Sequence, residues 1–170
     1  MKKTFLTIAL VMLTVAAFAA SPKRSVSQES LVSLVNEYSL YDGFEVIKVG
    51  SLGTAALRGV AKVAAAADRE DPEVRELVKM LNGIKKMAIV DYSECDDKAR
   101  DKFDKKLERL LSSSDLLMEA KDEEDTVRIY GLVSDDASTV KDFVMYVPSE
   151  SALICLFGSI SLDSLSKFMN

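Results

Sequence analysis

Few side chains in this sequence could carry out catalysis. Histidine is absent, which excludes a Ser-His-Asp triad and a Cys/His nucleophile pair. Serine and lysine are abundant, but the S-x-x-K letters at residues 164–167 lie near the chain end, where structure usually frays. We therefore predict no catalytic residue and expect a protein that is not an enzyme.

Carboxylates cluster in the segments DREDPE, ECDD, KDEED and SDD. Crowded oxygen ligands can bind Ca²⁺, but none of these segments has the D-x-[DN]-x-[DN]-G spacing of a calcium loop. Each lies where a helix cap or a hairpin turn is expected, so we interpret them as solvated turns and predict no metal site. The alternative is a carboxylate-based hydrolase or metal-dependent enzyme, which needs a deep pocket with carboxylates of raised pKa.

The segment FEVIKVGSLGTAALRG has the order of a phosphate-binding turn: a short strand, glycines and a helix start. However, Gly50, Gly53 and Gly59 match neither G-x-x-x-x-G-K-[ST] nor G-x-G-x-x-G. Small residues at such a place also allow close packing of a helix. We therefore predict a turn followed by a closely packed helix, with no nucleotide or other cofactor.

Cys95 and Cys155 are the two cysteines, and an even number in an exported protein permits one disulfide. Cys155 lies in the apolar run ALICLFG, where a free cysteine also packs well in a core. Cys95 lies in the acidic stretch YSECDD, whose charges raise a thiol pKa. A disulfide between them and two unpaired thiols are both open at this point.

Residues 1–19 have the layout of a secretory signal peptide. Lys2 and Lys3 precede an apolar run, and Ala17 and Ala19 occupy the −3 and −1 positions of a cleavage site. The run is shorter than the roughly 20 residues of a spanning helix, and no stop-transfer segment follows. We expect export to the periplasm or outer envelope, cleavage near Ala19, and no transmembrane segment in the mature chain.

Removal of Lys2 and Lys3 with the signal changes the formal net charge from −5 to −7. An acidic surface repels nucleic acid and anionic lipid, so neither is an expected partner. Residues 20–27 are predicted to be a disordered segment, and 28–170 to form a single domain. The expected partner is another envelope protein or a second copy of the chain.

Helical patterns come first along the mature chain. Apolar residues recur at helical spacing from about residue 28, with Ser27 or Ser30 as the cap. Further helices are predicted from about Ser51 to Ala67, over DREDPEVRELVKMLNG (68–83), and over DDKARDKFDKKLERLLSS (96–113). A short helix is predicted to close the chain.

From Asp115 onwards the apolar period changes to two. Four strand candidates, DLLMEAK, TVRIYGLV, VKDFVMYV and SALICLFGSI, are joined by short turns. We predict an α+β domain with a C-terminal four-strand antiparallel meander and helices mainly on one face of the sheet. Apolar segments near 44–49 and 84–92 are candidate additional strands.

A sheet with an open edge can accept a partner strand by β-strand addition. Aromatic and methionine side chains in the meander could add an apolar patch on an uncovered face. The candidate interaction patch consists of Tyr130, Met145, Tyr146 and Phe157. The competing interpretation is that these side chains pack beneath the helices.

The mature chain resembles the domain-of-unknown-function family 4252 of secreted Bacteroides-type proteins. The resemblance rests on VNEYSLYDGFEVIKVG, GIKKMAIVDY, KARDKFDKKLERLL, DTVRIYGLV and VKDFVMYV, and on a closing G-x-I-x-L pattern at Gly158, Ile160 and Leu162. It implies an envelope protein with an α+β fold and no established activity. Many members look like lipoproteins, but this chain lacks the lipobox cysteine, and no site residue is transferred.

The sequence thus favours a non-enzymatic envelope module that binds another protein or assembles with itself. A small-molecule carrier is a further alternative, and it needs a sizeable apolar cavity between helices and sheet.

Overall fold

The computed structural model describes residues 26–55, 82–121 and 125–163. The elements in these ranges are helices α1 (Gln28–Tyr38) and α2 (Asp97–Leu111), and strands β1 (Glu45–Val49), β2 (Ile84–Asp91), β3 (Leu116–Lys121), β4 (Thr126–Val133), β5 (Thr139–Val147) and β6 (Ala152–Ser161). Residues 51–55 are also helical. The predicted signal peptide, most of the two helices predicted within 51–83, and the S-x-x-K letters at 164–167 lie outside the described residues.

The strands form one antiparallel sheet in the order β1-β2-β6-β5-β4-β3. The predicted α+β class and the C-terminal meander β3 to β6 are confirmed. The two additional strand candidates join the sheet as β1 and β2: they pair with each other, and β2 also pairs with β6, which is far away in sequence. This single long-range pairing places β1 at one edge and β3 at the other.

Each of the two helices begins at a polar cap. The Ser27 hydroxyl accepts a hydrogen bond from the Ser30 N–H at α1, and the Asp96 carboxylate accepts one from the Ala99 N–H at α2. Val26 is buried, at 2% exposure, so the folded domain includes the end of the predicted disordered segment 20–27. The buried stripes of α1 and α2 are Leu31, Leu34, Val35, Tyr38, Ala99, Phe103, Leu107 and Leu111.

Both helices pack on one face of the sheet. Their buried stripes form a first core with sheet residues Ala88, Val90, Val144, Tyr146, Leu153, Cys155 and Phe157. Four aromatic rings, those of Tyr38, Phe44, Tyr92 and Phe103, meet at its centre with centroid separations between 4.7 and 5.5 Å. Four of these pairs are tilted or edge-on and one, Phe44 with Tyr92, is stacked; such aromatic pairs add to the stabilisation from burial.

The second face of the sheet is apolar as well. One residue from each strand forms a row across it, since directly paired residues project to the same side. The row is Ile47, Ile89, Ile154, Met145, Ile129 and Met118. Side chains in this row range from buried at Ile129 to 60% exposed at Ile47, so the row becomes more open towards β1.

Candidate functional site

The two edges of the sheet differ in how well they are protected against pairing with another strand. At β3 the register shifts between Leu116 and Met118, which marks a bulge or irregularity. Glu119 of β3 also forms ion pairs with Lys121 and with Arg128 of β4. Bulges and charges are the usual protection of an edge strand, so β3 is a poor acceptor.

The β1 edge has little of this protection. Its pairing with β2 runs without a register shift from Glu45 to Val49, and the strand contains no proline. Its one cation, Lys48, donates a hydrogen bond of 2.9 Å to the Asn36 side chain of α1. Lys48 is therefore held over the helix face, and none of the other described strands pairs with the outer side of β1. The backbone groups of an unpaired strand edge can accept a partner strand.

Exposed apolar side chains are concentrated around β1. Of the five large apolar residues that are exposed in the described ranges, four lie between residues 40 and 52: Leu40, Tyr41, Ile47 and Leu52. Leu40 and Leu52 are 87% and 90% exposed, and the Tyr41 ring stacks on Tyr38 at 4.9 Å. We call β1 together with these four residues the β1 edge surface. Exposed apolar residues that flank an edge strand in sequence are a feature of interaction sites.

The candidate patch predicted from sequence does not form one surface. Tyr146 and Phe157 are buried at 1% and 2% exposure in the first core, and Tyr130 packs against the same core. Met145 lies on the opposite face of the sheet. The β1 edge surface was not predicted from the sequence. The apolar character of Leu40, Ile47 and Leu52 does not show which strand lies at the edge of the sheet.

Both cysteines are buried free thiols. Cys155 lies on β6 in the first core, where burial raises its pKa to about 12. Burial also raises the pKa of Cys95, although the Arg100 guanidinium opposes this effect. Neither thiol is activated as a nucleophile, since a catalytic cysteine needs a lowered pKa.

A polar cluster joins α2 to the sheet inside the first core. The hydroxyls of Tyr92 and Tyr146 donate hydrogen bonds of 2.7 and 3.0 Å to the same carboxylate oxygen, Oδ1 of Asp104. Burial is the main cause that raises the pKa of Asp104, against the lowering effect of the two hydroxyls. Burial and the nearby carboxylate raise the pKa values of both tyrosines above their usual range. The cluster satisfies buried hydroxyls, so we interpret it as structural.

Asp104→Asn tests this interpretation through pH. The folded-state pKa of Asp104 is raised, so its contribution to stability is present below the unfolded-state pKa and is lost as pH rises through the folded-state pKa. The asparagine keeps an acceptor oxygen for both tyrosines and does not titrate. We expect the variant to gain stability relative to wild type between about pH 3 and about pH 7, measured by urea denaturation. Parallel pH profiles would contradict a raised pKa.

An apolar cavity of about 120 Å³ lies between α1 and the β1 end of the sheet. Its apolar lining includes Leu31, Val35, Ala88, Cys155 and Phe157, and two exposed lysines, Lys48 and Lys86, also line it. We call it the α1 cavity. It is smaller than the roughly 300 Å³ at which pockets for larger ligands begin.

Residues 26–55, 82–121 and 125–163 contain neither a candidate metal site nor a candidate membrane span. No group of three or more histidine, cysteine or carboxylate side chains converges there in a way that could hold a metal ion. No helix in those ranges is both long enough and apolar enough to cross a membrane.

Comparison with known proteins identifies one relationship. A family model described as a domain of unknown function (DUF4252) matches residues 42–168, which is more than half of the chain. The matched range begins just before β1 and includes α2 and all six strands. No curated protein and no solved structure matches the chain.

Proposed function

The chain belongs to the DUF4252 family, and we propose that it is a non-enzymatic, exported envelope module that assembles with a second copy of itself through β1. The single observation that carries the proposal is the regular, open β1 edge with exposed apolar residues beside it. Export to the envelope is supported by the signal-peptide pattern of residues 1–19.

The sequence of β1 is complementary to itself in an antiparallel pair. When two copies pair about Ile47, the isoleucines face each other, Glu45 faces Val49 of the second copy, and Val46 faces Lys48. No like charges are then opposite, whereas pairing about Lys48 would oppose two ammonium groups. A two-fold axis at Ile47 makes the interface isologous, as in most homodimers.

The same register extends the apolar row of the second face. Ile47 is the most exposed member of that row, and in the pair its side chain packs against the isoleucine of the second copy. The rows of the two sheets thereby become continuous. Because the shared strand is only five residues long, we expect a weak dimer with a dissociation constant on the order of 1–100 μM.

Ile47→Lys is the variant that tests self-assembly. It places two ammonium groups opposite each other at the axis, so we expect at least about a tenfold increase in the dimer dissociation constant. Sedimentation velocity over a concentration series of the chain 20–170 measures this constant. Because Ile47 is 60% exposed, the thermal unfolding midpoint of the variant should change little.

Leu116→Lys is the matched control, since Leu116 is exposed at the opposite edge, on β3. The control should dimerise like wild type. A wild-type chain that stays monomeric at all concentrations, or a control that loses dimers as Ile47→Lys does, would overturn the proposal. Higher salt should strengthen the wild-type dimer, because it screens repulsion between two acidic copies.

A further inference from the structure

The α1 cavity combines an apolar interior with positive charge at its mouth. Ala88 and Cys155 are paired across β2 and β6, and these small side chains leave space beneath α1. Lys48 and Lys86 are the exposed charged residues that line the cavity, so they lie where it opens to solvent. An interior of this kind favours an apolar group, and its mouth favours an anion.

The sheet register brings the two lysines together on the helix face. Lys48 is paired with Ala88, and Lys86 is two residues away from Ala88 on the same strand. Side chains in such diagonal positions lie on one face, about 7–8 Å apart. Lys86 is also paired with Phe157, a first-core residue, which confirms that it projects towards α1.

Neither lysine has a carboxylate partner in the part of the chain that the structure describes. Lys48 donates to a neutral amide, that of Asn36. Two neighbouring like charges repel each other, and a shared anion relieves that repulsion.

We propose that the α1 cavity binds a small carboxylate with an apolar tail. The tail fills the space between α1 and Ala88, and the carboxylate is held at the mouth by Lys48 and Lys86. A dry cavity of about 150 Å³ accommodates a benzene-sized molecule, so a cavity of this size suits a tail of about four to six carbon atoms. A long-chain lipid is too large, and inorganic phosphate leaves the apolar interior empty.

Sodium hexanoate is the probe, with 1-hexanol as the neutral molecule of matched chain length. We expect hexanoate to produce saturable backbone amide shifts in α1, β2 and β6 of the chain 20–170, and to raise the thermal unfolding midpoint. Hexanol should bind at least about tenfold more weakly, because it has no charge for the two lysines.

The double variant Lys48→Met, Lys86→Met should weaken hexanoate binding at least about tenfold. Both side chains are exposed, so the variant should fold. Lys85→Met is the control: it removes one positive charge from an exposed residue next to Lys86 that does not line the cavity. The control should bind hexanoate like wild type.

Three results would overturn the proposal: no saturable shift with hexanoate, equal affinity for hexanol, or equal weakening by Lys85→Met. Sodium decanoate distinguishes binding in the cavity from surface adsorption, since the cavity should exclude it and a surface should prefer it. The test is independent of self-assembly, because the Ile47→Lys chain should bind hexanoate as wild type does.

Discussion

Gly158→Ala is expected to destabilise the fold by at least about 3 kcal/mol, and thereby to prevent most of the chain from folding. Gly158 has a φ of +135°, which residues with a side chain rarely adopt. A Cβ atom added there would overlap the carbonyl oxygen of Gly83 and lie 3.1 Å from the Lys85 nitrogen. These are backbone atoms, which cannot rotate away.

The clash falls where β2 begins to pair with β6. Gly158 is the register partner of Ile84, and the register shifts between Ile84 and Lys86. A Cβ on Gly83 would meet the Ser159 carbonyl oxygen in turn, so the two backbones touch at both glycines. The substitution therefore weakens the pairing that attaches β1 and β2 to the meander.

Urea denaturation followed by circular dichroism measures the loss. Gly50→Ala is the matched control, because a Cβ at Gly50 has no atom within 4 Å. Gly50 precedes the helical residues 51–55, where alanine is a poorer cap, so the control should change stability by about 1 kcal/mol or less. A Gly158→Ala chain as stable as this control would contradict the predicted close contact.

Phe103→Ala is expected to destabilise the protein by about 3–5 kcal/mol. Phe103 is fully buried on α2, and its ring lies 4.7 Å from Tyr92, 5.1 Å from Tyr38 and 5.3 Å from Phe44. Removal of the ring takes away contacts to α1, to the start of β1 and to the end of β2 together. Rigid neighbours on three sides cannot close the space that is left.

Equilibrium unfolding of Phe103→Ala, Phe103→Leu and Tyr41→Ala gives the comparison. Leucine retains most of the volume, so we expect a loss of about 1–2 kcal/mol. Tyr41 belongs to the same group of rings but is 48% exposed, so its truncation should change stability by less than about 1 kcal/mol. Equal losses for Phe103→Ala and Tyr41→Ala would show that Phe103 is not the centre of the core.

Local patterns in the sequence were sufficient to predict α1, α2 and the strands of the meander. The cap of α1 was expected at Ser27 or Ser30 and lies at Ser27. This cap and the apolar stripes of α1 and α2 act within a few residues of chain, so they could be predicted before any tertiary contact is known. The meander could be predicted for the same reason, because its strands are neighbours in sequence and are joined by short turns.

The residues of the predicted interaction patch do not share one surface, and the reason lies in the alternation of side chains along a strand. Met145 and Tyr146 are adjacent in β5, so they project to opposite faces of the sheet. Both faces of this sheet are apolar, and a period of two cannot tell which face the helices cover. Tyr146 therefore lies on the helix face, where it donates a hydrogen bond to Asp104, whereas Met145 lies in the row on the second face.

The sequence by itself determined the α+β class, the helices α1 and α2, the meander and the family resemblance, because each rests on neighbouring residues or on the order of segments. Only the tertiary structure decided that β2 pairs with β6, that β1 lies at the end of the described sheet, and that Lys48 and Lys86 line the same cavity. These features depend on contacts between segments far apart in the chain. Such contacts are selected by the packing of the whole domain, which no local pattern contains.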